Sequence, residues 1–600
     1  MSIDPTTPVV VGVGQVTNRP SLDGAGALAE RPEPIGLMID SVRAAIEDCD
    51  GARPGGPAPA GQSLVARTRS LRVANPLSWH YVNPGLLVAE ALGIEPDQVM
   101  VATTGGNNPQ SLVNATALAI GRGELDVAVI VGADCVYTQT AARRHPDRPV
   151  LPWTVQPGDT EPPVMFGTDR RGTTDAEEAR GLDLPIHVFP LFENALRAEA
   201  GRTLDEHRHH IGALWSRFSQ VAATNPYAWL TEARTPEEVI TVTEENRMIA
   251  YPYTKLLTAN MQVDQGAAVI MCSAAAAEAA GVPRDRWVFP RAGADANDHW
   301  FLSHRADFHS SPAIRLAGAS ALSLTGVAIE QVARLDLYSC FPSAVEIAAA
   351  ELGVSDHDPD RALTLTGGLT FGGGPGNNYG THAVASMVTA LRSDPGSLGL
   401  VTGVGWYMTK HSVGIYGTEP GPVQVDRPEG LSERTAVESA GGFSWADPQV
   451  EVGSLPQCSP DADAQGEVTV ETYSVSYTRD GAPEGAVVAC RTPGGKRAWA
   501  NVTDADHLAV LVTEEGCGRL GTLRGDGEVD LRCPGPPTAD ACSGWGRLHR
   551  HRRRTVRLAV AMLERRIGER SGEQRKPVRR QPVGQRGQHR LGRAQPGQHQ

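Results

Sequence analysis

A glycine-rich stretch, "GGLTFGGGPGNNYGTHA" at residues 367–383, has the composition of a loop that comes very close to another group. Seven of its seventeen residues are glycine. Either a ligand approaches its backbone, or the chain turns in ways that side chains forbid. A phosphate cradle is disfavoured because the stretch lacks the Lys-Ser/Thr pair of a P-loop and follows no clear strand directly. The stretch therefore indicates an active-site loop or a tight structural turn.

A cysteine provides the candidate reactive group. Cys340 lies at the end of a predicted strand, residues 334–341, and Pro342 begins a predicted helix over 342–354. A thiol just before a helix N-terminus is expected to have a lowered pKa, because unpaired N–H groups and the helix dipole stabilise the thiolate. We therefore predict a catalytic role for Cys340, with a buried structural thiol as the open alternative.

A cluster of histidines, "HRHH" at residues 207–210, lies in a predicted helix. The cluster suggests metal binding, but consecutive residues on a helix point in different directions. A solvated helix face is therefore the favoured interpretation. We predict no metal and no redox cofactor.

The composition is that of a globular protein with several domains. At 600 residues the chain exceeds a single core and is expected to form two to four domains. No apolar run reaches the roughly 18 residues that a membrane span needs, and no signal peptide is recognisable at the N-terminus. The nine cysteines are scattered without CxxC pairs, which favours reduced thiols. These features predict a cytoplasmic protein with no membrane partner.

The C-terminal end differs in charge from the rest of the chain. Residues 541–600 hold 16 Arg and Lys against 3 Glu, whereas the whole chain has a net charge of −14. The segment is poor in aromatic and β-branched residues, which predicts a disordered tail. A nucleic-acid-binding arm is the alternative, but no aromatic residues alternate with the arginines to stack on bases. We therefore predict no nucleic-acid partner.

The elements that must position these residues alternate between strands and helices. Predicted strands cover residues 8–16, 99–104, 126–134, 334–341 and 398–408, and predicted helices cover 35–50, 84–94, 108–125, 342–354 and 381–394. Such alternation is typical of an α/β protein with helices on both faces of its sheets. Residues 467–503 alternate apolar and polar side chains around two turns, which predicts a β-meander.

Four segments resemble the thiolase superfamily, specifically its sterol-carrier-protein-type thiolases and thiolase-like proteins. They are "PVVVGVGQV", "TTGGNNPQSLVNATALAIGRGELDVAVIVGAD", "YTKLLTANMQVDQGAAVIMCSAAAAEAAG" and "LYSCF…GGLTFGGGPGNNYG" with the following strand "LVTGVG". They occur in order over about residues 1–420. The resemblance implies a duplicated thiolase fold with five α/β/α/β/α layers. We expect an N-terminal half over 1–283 that includes an insertion at 140–250, a C-terminal half over 284–424, a small OB-like β-domain over 425–530 and a disordered tail over 531–600.

The resemblance also shows where the chain departs from the family. The position of the nucleophilic cysteine holds Gly106, and the glycine–histidine–proline triplet that carries the activating base reads Gly373-Gly374-Pro375. The family's His-Asp-Cys-Phe segment reads Tyr338-Ser339-Cys340-Phe341. Cys340 thus matches the cysteine that acts in proton transfer. Tyr338 replaces the oxyanion-hole histidine, as in thiolase-like retro-aldolases, and its hydroxyl could donate to an enolate or exchange a proton.

Further residues complete the predicted site. His382 and His411 could each approach Cys340 and replace the missing base, with locally hydrogen-bonded histidines as the alternative. Backbone N–H groups of the two glycine loops could bind the substrate's oxyanion, which singles out Gly105, Gly106, Asn107, Gly373 and Gly374.

The implied function is an acyltransferase of the acetyl-CoA acetyltransferase class with a non-standard active site. Its substrate would be a coenzyme A thioester, with no other cofactor. The alternatives are a thiolase-like retro-aldolase and a non-catalytic acyl-CoA or lipid-binding protein. A scaffold that docks a partner through its β-domain is a further hypothesis, and both a monomer and a homodimer are compatible with the sequence.

Overall fold

The computed structural model describes residues 3–19, 25–51, 60–421, 427–428 and 431–532. Within these residues the strands form three sheets. The predicted tail lies, from residue 533 onward, outside the described residues. None of the described helices is both long and apolar enough to cross a membrane.

Six strands of the N-terminal half form the first sheet. They are β1 (Pro8–Thr17), β2 (Ser70–Ala74), β3 (Gln98–Ala102), β4 (Val127–Cys135), β5 (Val164–Phe166) and β8 (Asp264–Ser273). Their order across the sheet is β1-β8-β4-β2-β3-β5. Strand β8 runs antiparallel to its neighbours β1 and β4, and the pairs from β4 to β5 are parallel. Every residue of β4 is buried, as its run of β-branched residues predicts.

A second sheet repeats this arrangement in the C-terminal half. Its strands are β9 (Phe289–Asn297), β10 (Arg334–Asp336), β11 (Leu398–Gly405), β12 (Lys410–Gly417), β13 (Ala436–Ala440) and β14 (Phe443–Asp447), in the order β10-β11-β12-β9-β14-β13. Strands β13 and β14 lie inside the range given to the small β-domain, but β14 pairs with β9 and so extends the second sheet.

Strand β10 is shorter than the sequence predicts. It ends at Asp336, because the next two N–H groups leave the sheet and donate to the carbonyl oxygen of Leu363 and to Thr402 Oγ1. The segment with Tyr338 and Cys340 is therefore a loop between β10 and the following helix.

The third sheet joins the C-terminal region to the insertion. It contains β15 (Gly466–Tyr477), β16 (Pro483–Arg491), β17 (Arg497–Val502), β18 (Leu520–Leu523) and β19 (Val529–Leu531), together with β6 (Met248–Tyr251) and β7 (Tyr253–Thr254). Strands β15, β16 and β17 form the predicted antiparallel meander. The pairing of β6 with β15 fixes the C-terminal strands to the insertion. The OB-like assignment and the exact domain boundaries stay predictions.

Sixteen α-helices complete the described part of the chain. They are α1 (Ala25–Ala29), α2 (Pro34–Asp50), α3 (Ala60–Val65), α4 (Pro84–Leu92), α5 (Asn108–Gly121), α6 (Val136–Arg144), α7 (Asp175–Glu178), α8 (Pro185–Ala200), α9 (Leu204–Thr224), α10 (Pro236–Ile240), α11 (Ala274–Ala280), α12 (Pro312–Thr325), α13 (Pro342–Leu352), α14 (Tyr379–Ser393), α15 (Gln449–Gly453) and α16 (Ala505–Thr513).

The helices confirm the five-layered architecture. Helices α5 and α14 contact strands of both the first and the second sheet, so they form the central layer. Helices α2 and α4 cover the outer face of the first sheet, and α12 covers the second, with α13 packed on α12. The two central helices begin beside each other, since a Cβ atom on Gly380 would lie 3.0 Å from Pro109. The loops that precede α5 and α14 therefore meet at one place.

Candidate active site

The candidate site is built around the loop that joins β3 to α5. This loop ends at Asn107 and α5 begins at Asn108, so Gly106 lies at a helix N-terminus. A Cβ atom on Gly106 would lie 2.1 Å from the hydroxyl oxygen of Tyr338 and 2.7 Å from the carbonyl oxygen of Val404. Only glycine fits here without a shift of its neighbours, because the Tyr338 hydroxyl occupies the space that a side chain at position 106 would take.

Tyr338 is held firmly in this position. Its N–H donates to Thr402 Oγ1 at 2.9 Å, and its ring meets the edge of the Tyr379 ring with 5.3 Å between the ring centres. The residue is 6% exposed, and burial raises the pKa of its phenol well above the ordinary value. Tyr338 is therefore a neutral hydroxyl at physiological pH, which can donate a hydrogen bond at the N-terminus of α5.

Cys340 lies two residues before α13, but its thiol pKa is not lowered. Burial raises this pKa well above the ordinary value, and hydrogen bonds from the backbone of Phe341 and of Cys340 itself offset the rise only in part. The side chain packs against the main core and is partly exposed. The predicted lowering is wrong because lost hydration of the thiolate outweighs the helix terminus. A neutral thiol can carry a proton but is a poor nucleophile.

The glycine-rich loop ties the two halves of the fold together. It begins with a π-helical turn at Gly368–Gly372. Gly373 has a φ of 111°, and a Cβ atom there would lie 2.1 Å from Gln265 Oε1. Further along, Asn377 Oδ1 accepts a hydrogen bond from the N–H of Gly105 at 2.8 Å. The stretch is therefore a tight structural turn that also supports the loop before α5.

Three of the predicted backbone N–H donors in the two loops already form hydrogen bonds within the protein. The N–H of Gly105 is bound by Asn377, that of Gly373 by the carbonyl oxygen of Gly368, and that of Gly374 by the carbonyl oxygen of Asn260. Protein acceptors already use these three groups, which makes them less available as oxyanion donors, and their role in substrate binding stays a prediction.

Two backbone donors remain at the start of α5. In the described part of the chain, the N–H groups of Gly106 and Asn107 have no protein acceptor. They lie where the positive end of the helix dipole favours an anion.

His382 lies beside the glycine-rich loop. It shares a small cavity with Gly372, Gly373 and Tyr379. Its Nδ1 donates to Gln15 Oε1 at 2.9 Å, and its buried Nε2 has no partner among the described residues. Burial lowers the pKa of His382 to about 3, so the ring is neutral and Nε2 offers a free lone pair. The lone pair can accept a hydrogen bond, but a pKa of about 3 makes the ring a weak base, and the role of His382 as the replacement base stays a prediction.

His411 has local partners instead. Its Nε2 lies 2.9 Å from the carbonyl oxygen of Met408 and 3.4 Å from Ser311 Oγ. Burial lowers its pKa to about 4. These contacts fit the alternative given above, a histidine that stabilises its own surroundings, here the turn between β11 and β12.

Lys410 is a residue of this site that the sequence analysis missed. It begins β12, is 3% exposed, and donates to the carbonyl oxygen of Thr104 in the loop before α5. The sequence holds one hint of Lys410: lysine is rare in this chain, since only four of its 55 basic residues are lysines.

The histidine cluster on α9 is solvated only in part, since His209 is exposed and the other two histidines are paired with carboxylates. His207 is fully buried, and its Nε2 lies 2.5 Å from Glu193 Oε1. Nε2 of His210 lies 3.0 Å from Glu346 and 3.1 Å from Asp356. Residues three positions apart share one face of a helix, which explains the error. Ligand atoms of Glu193, His207 and Glu346 lie within 4.8 Å of one another, but the first two are hydrogen-bonded directly to each other.

Comparisons with known proteins agree with this architecture. Residues 447–528 match the family model described as the thiolase-like protein type 1 additional C-terminal domain. The crystal structure of a monomeric SCP2-thiolase-like protein type 1 from Mycobacterium smegmatis is 31% identical, with a TM-score of 0.71 over 89% of this chain and 100% of that chain.

More distant solved structures also align. The Ltp2-ChsH2(DUF35) aldolase is 21% identical, with a TM-score of 0.49 over 69% of this chain and 99% of that chain. The dimeric peroxisomal thiolase of Saccharomyces cerevisiae is 13% identical, with a TM-score of 0.48 over 70% of this chain and 99% of that chain. No curated protein sequence matches the chain.

Proposed function

The chain belongs to the thiolase superfamily as an SCP2-thiolase-like protein of type 1, and from this premise we propose that it is a cytoplasmic enzyme of lipid metabolism, of the acyltransferase class, acting on acyl-CoA thioesters. It makes or breaks a carbon–carbon bond without forming an acyl-enzyme at position 106. Retro-aldol cleavage of an acyl-CoA ester, which transfers no acyl group, is the alternative reaction at the same site. The enzyme acts as a monomer or a homodimer and needs no cofactor besides its coenzyme A thioester substrate.

One observation carries the proposal. The hydroxyl of Tyr338 takes the place of a side chain at Gly106, at the N-terminus of α5. A thioester carbonyl placed there would meet a neutral phenol together with the free N–H groups of Gly106 and Asn107. Such fixed donors stabilise the negative charge that develops on the oxygen when an enolate forms or collapses. No nucleophilic side chain is needed for that step.

Protons must also move during carbon–carbon chemistry. Burial keeps Tyr338 and Cys340 in their neutral, proton-bearing forms, so each holds a proton that a strongly basic carbanion can take up. His382 offers a neutral acceptor beside the glycine-rich loop. This assignment makes Cys340 a proton carrier rather than a relocated nucleophile.

A second candidate is a non-catalytic acyl-CoA or lipid-binding protein. The observation that favours it is the use of the Gly105, Gly373 and Gly374 N–H groups by protein acceptors. In an enzyme these N–H groups would bind the substrate's oxyanion, whereas here they form hydrogen bonds that hold the two loops in place.

The test is turnover by the full-length protein with short, long and steroid-side-chain acyl-CoAs, followed by mass spectrometry of products and protein. We expect Tyr338→Phe to lower turnover by about 10²–10³, because it removes one oxyanion donor and keeps the ring in place. Tyr477→Phe, in β15 of the third sheet, is the matched control. Binding without any product across the panel would support the second candidate, and an acyl adduct on Cys340 would overturn the proton-carrier role.

A further inference from the structure

Lys410 lies against the loop that leads into the candidate site. A Cβ atom on Gly105 would be 2.7 Å from both Cε and Nζ of Lys410, and one on Gly405 would be 2.9 Å from Cε. Two glycines therefore leave room for the Lys410 side chain: Gly105, in the loop after β3, and Gly405, the last residue of β11. Its amino group donates to the carbonyl oxygen of Thr104, one residue before Gly105.

The amino group is buried without a counter-ion. None of the described carboxylates forms an ion pair with Lys410, and Asp169 acts on it only through its longer-range charge. Burial lowers the pKa of Lys410 to about 8. An ammonium in such surroundings loses a proton easily, because the charged form lacks both water and an anion. A neutral lysine amine is a nucleophile.

The turn before Lys410 is held in an unusual conformation. Trp406 and Met408 are not glycines, yet they have φ values of 54° and 56°. The buried guanidinium of Arg305 donates to the carbonyl oxygens of Tyr407 and Met408 at 3.0 and 2.7 Å and so maintains this turn. Strained backbone of this kind concentrates at functional sites, where surrounding contacts impose it.

An unpaired acceptor lies next to the amine. Asn107 Oδ1 is buried and has no hydrogen-bond partner among the described residues. It approaches the same two glycines as Lys410, at 2.5 Å from a Cβ on Gly105 and 2.4 Å from one on Gly405. The amine and the acceptor thus both lie against Gly105 and Gly405. A ligand group with a hydroxyl would satisfy the acceptor.

From this arrangement we infer that Lys410 is a nucleophilic amine of the site, which forms an imine with the ketone carbon of its substrate. The substrate class is therefore a 3-oxoacyl thioester or a related ketone. The coenzyme A part of that substrate rests on the proposed function, whereas the reactivity of the amine towards a ketone does not.

The chemical step is balanced as follows. The lone pair of Nζ attacks the ketone carbon, the C=O π electrons move to oxygen, and a proton passes from nitrogen to that oxygen. The resulting carbinolamine hydroxyl can donate to Asn107 Oδ1. A second proton, supplied by Tyr338 or solvent, lets the hydroxyl leave as water, and a protonated imine remains on Lys410. This cation withdraws electrons from the neighbouring carbon–carbon bond.

The experiment traps the imine by reduction. Full-length protein is incubated with acetoacetyl-CoA, or with acetone as a ketone without coenzyme A, in the presence of cyanoborohydride at a pH of about 8, where half of the Lys410 amine is neutral. Hydride adds to the imine carbon and leaves a secondary amine. The protein should gain the mass of the ketone minus one oxygen atom. Four lysines, Lys255, Lys410, Lys496 and Lys576, make the site easy to assign by peptide mapping.

The expected result is an adduct on Lys410 that is absent in Lys410→Met and retained in the control Lys496→Met. An adduct only on other lysines, or none in folded protein, overturns the inference. If Lys410→Met does not fold, reductive methylation of the wild-type protein by formaldehyde decides. Lys410 should then react at lower pH than the exposed Lys496, and equal pH profiles would overturn the inference.

The two proposals fail separately. Turnover of acyl-CoAs without any adduct on Lys410 would leave the proposed function standing and overturn the imine. An acetone adduct on Lys410 without turnover of any acyl-CoA would support the amine and count against the proposed function.

Discussion

Replacing Gly106 by alanine tests whether Tyr338 really fills the nucleophile position. The new Cβ would lie 2.1 Å from the Tyr338 hydroxyl oxygen, 2.6 Å from its Cζ and 2.7 Å from the Val404 carbonyl oxygen. The Tyr338 ring is packed edge-on against Tyr379, and Val404 belongs to the buried strand β11, so neither neighbour moves freely. We expect Gly106→Ala to lower the free energy of unfolding by about 1–3 kcal/mol, the usual cost of overpacking.

A double-mutant cycle separates the tyrosine from the strand. Tyr338→Ala removes two of the three close contacts and leaves only the Val404 carbonyl oxygen. Gly106→Ala should therefore cost less in the Tyr338→Ala protein than in the wild type, with a coupling free energy of about 1–2 kcal/mol.

The assay is urea denaturation followed by circular dichroism, with Gly158→Ala as the control. A Cβ atom on Gly158 would meet nothing within 4 Å, so that change should stay within about 0.5 kcal/mol of the wild type. Equal costs of Gly106→Ala in the two backgrounds, or no cost at all, would refute the geometry on which the proposed function depends.

Two further predictions concern stability away from the site. Burial would lower the pKa of His210, but hydrogen bonds to Asp356 and Glu346 outweigh it and raise this pKa to about 9. The resulting stability is complete below the unfolded pKa and is lost as the pH rises through 9, so the free energy of unfolding from urea denaturation should fall by about 2 kcal/mol between pH 7 and pH 9. His210→Gln should abolish that slope, and an unchanged slope would contradict the assignment. Separately, the buried guanidinium of Arg497 binds Glu471 and three main-chain carbonyl oxygens. Arg497→Met should cost about 3–5 kcal/mol in thermal or urea denaturation, because three main-chain carbonyl oxygens lose an arginine donor and Glu471 keeps only Arg491 as its ion-pair partner, and a loss below 1 kcal/mol would count against it.

The fold was largely predictable because its signals are local. The β-branched run of β4 and the spacing of apolar residues in α2, α13 and α14 each appear within a short window. The order of the four family-like segments then fixed the duplicated arrangement. The pairing of β14 with β9 could not be predicted, because it joins residues about 150 positions apart and depends on which sheet edge is open.

The site was predictable only in part because its geometry is long-range. The sequence marked Gly106 and Tyr338 separately, and only the folded chain shows that the tyrosine hydroxyl stands where the glycine lacks a side chain. The pKa of Cys340 was predicted in the wrong direction, since helix position can be read from sequence and burial cannot. Lys410 gave no motif, and its meaning comes from two glycines on other segments that accommodate it.

The polar groups left unpaired at the site bear on whether the site still binds a ligand. Asn107 Oδ1 and His382 Nε2 are buried without partners in the described part of the chain, and Lys410 lacks a carboxylate. Each unsatisfied buried group costs about 1–3 kcal/mol, and apolar residues of similar shape would avoid that cost. A protein that only needed to keep its fold after losing the nucleophile would gain stability from such replacements. The chain instead keeps three polar groups around Gly105 and Gly373, where a bound acyl-CoA could pair them, which favours a site that still binds a ligand over a scaffold that keeps only its fold.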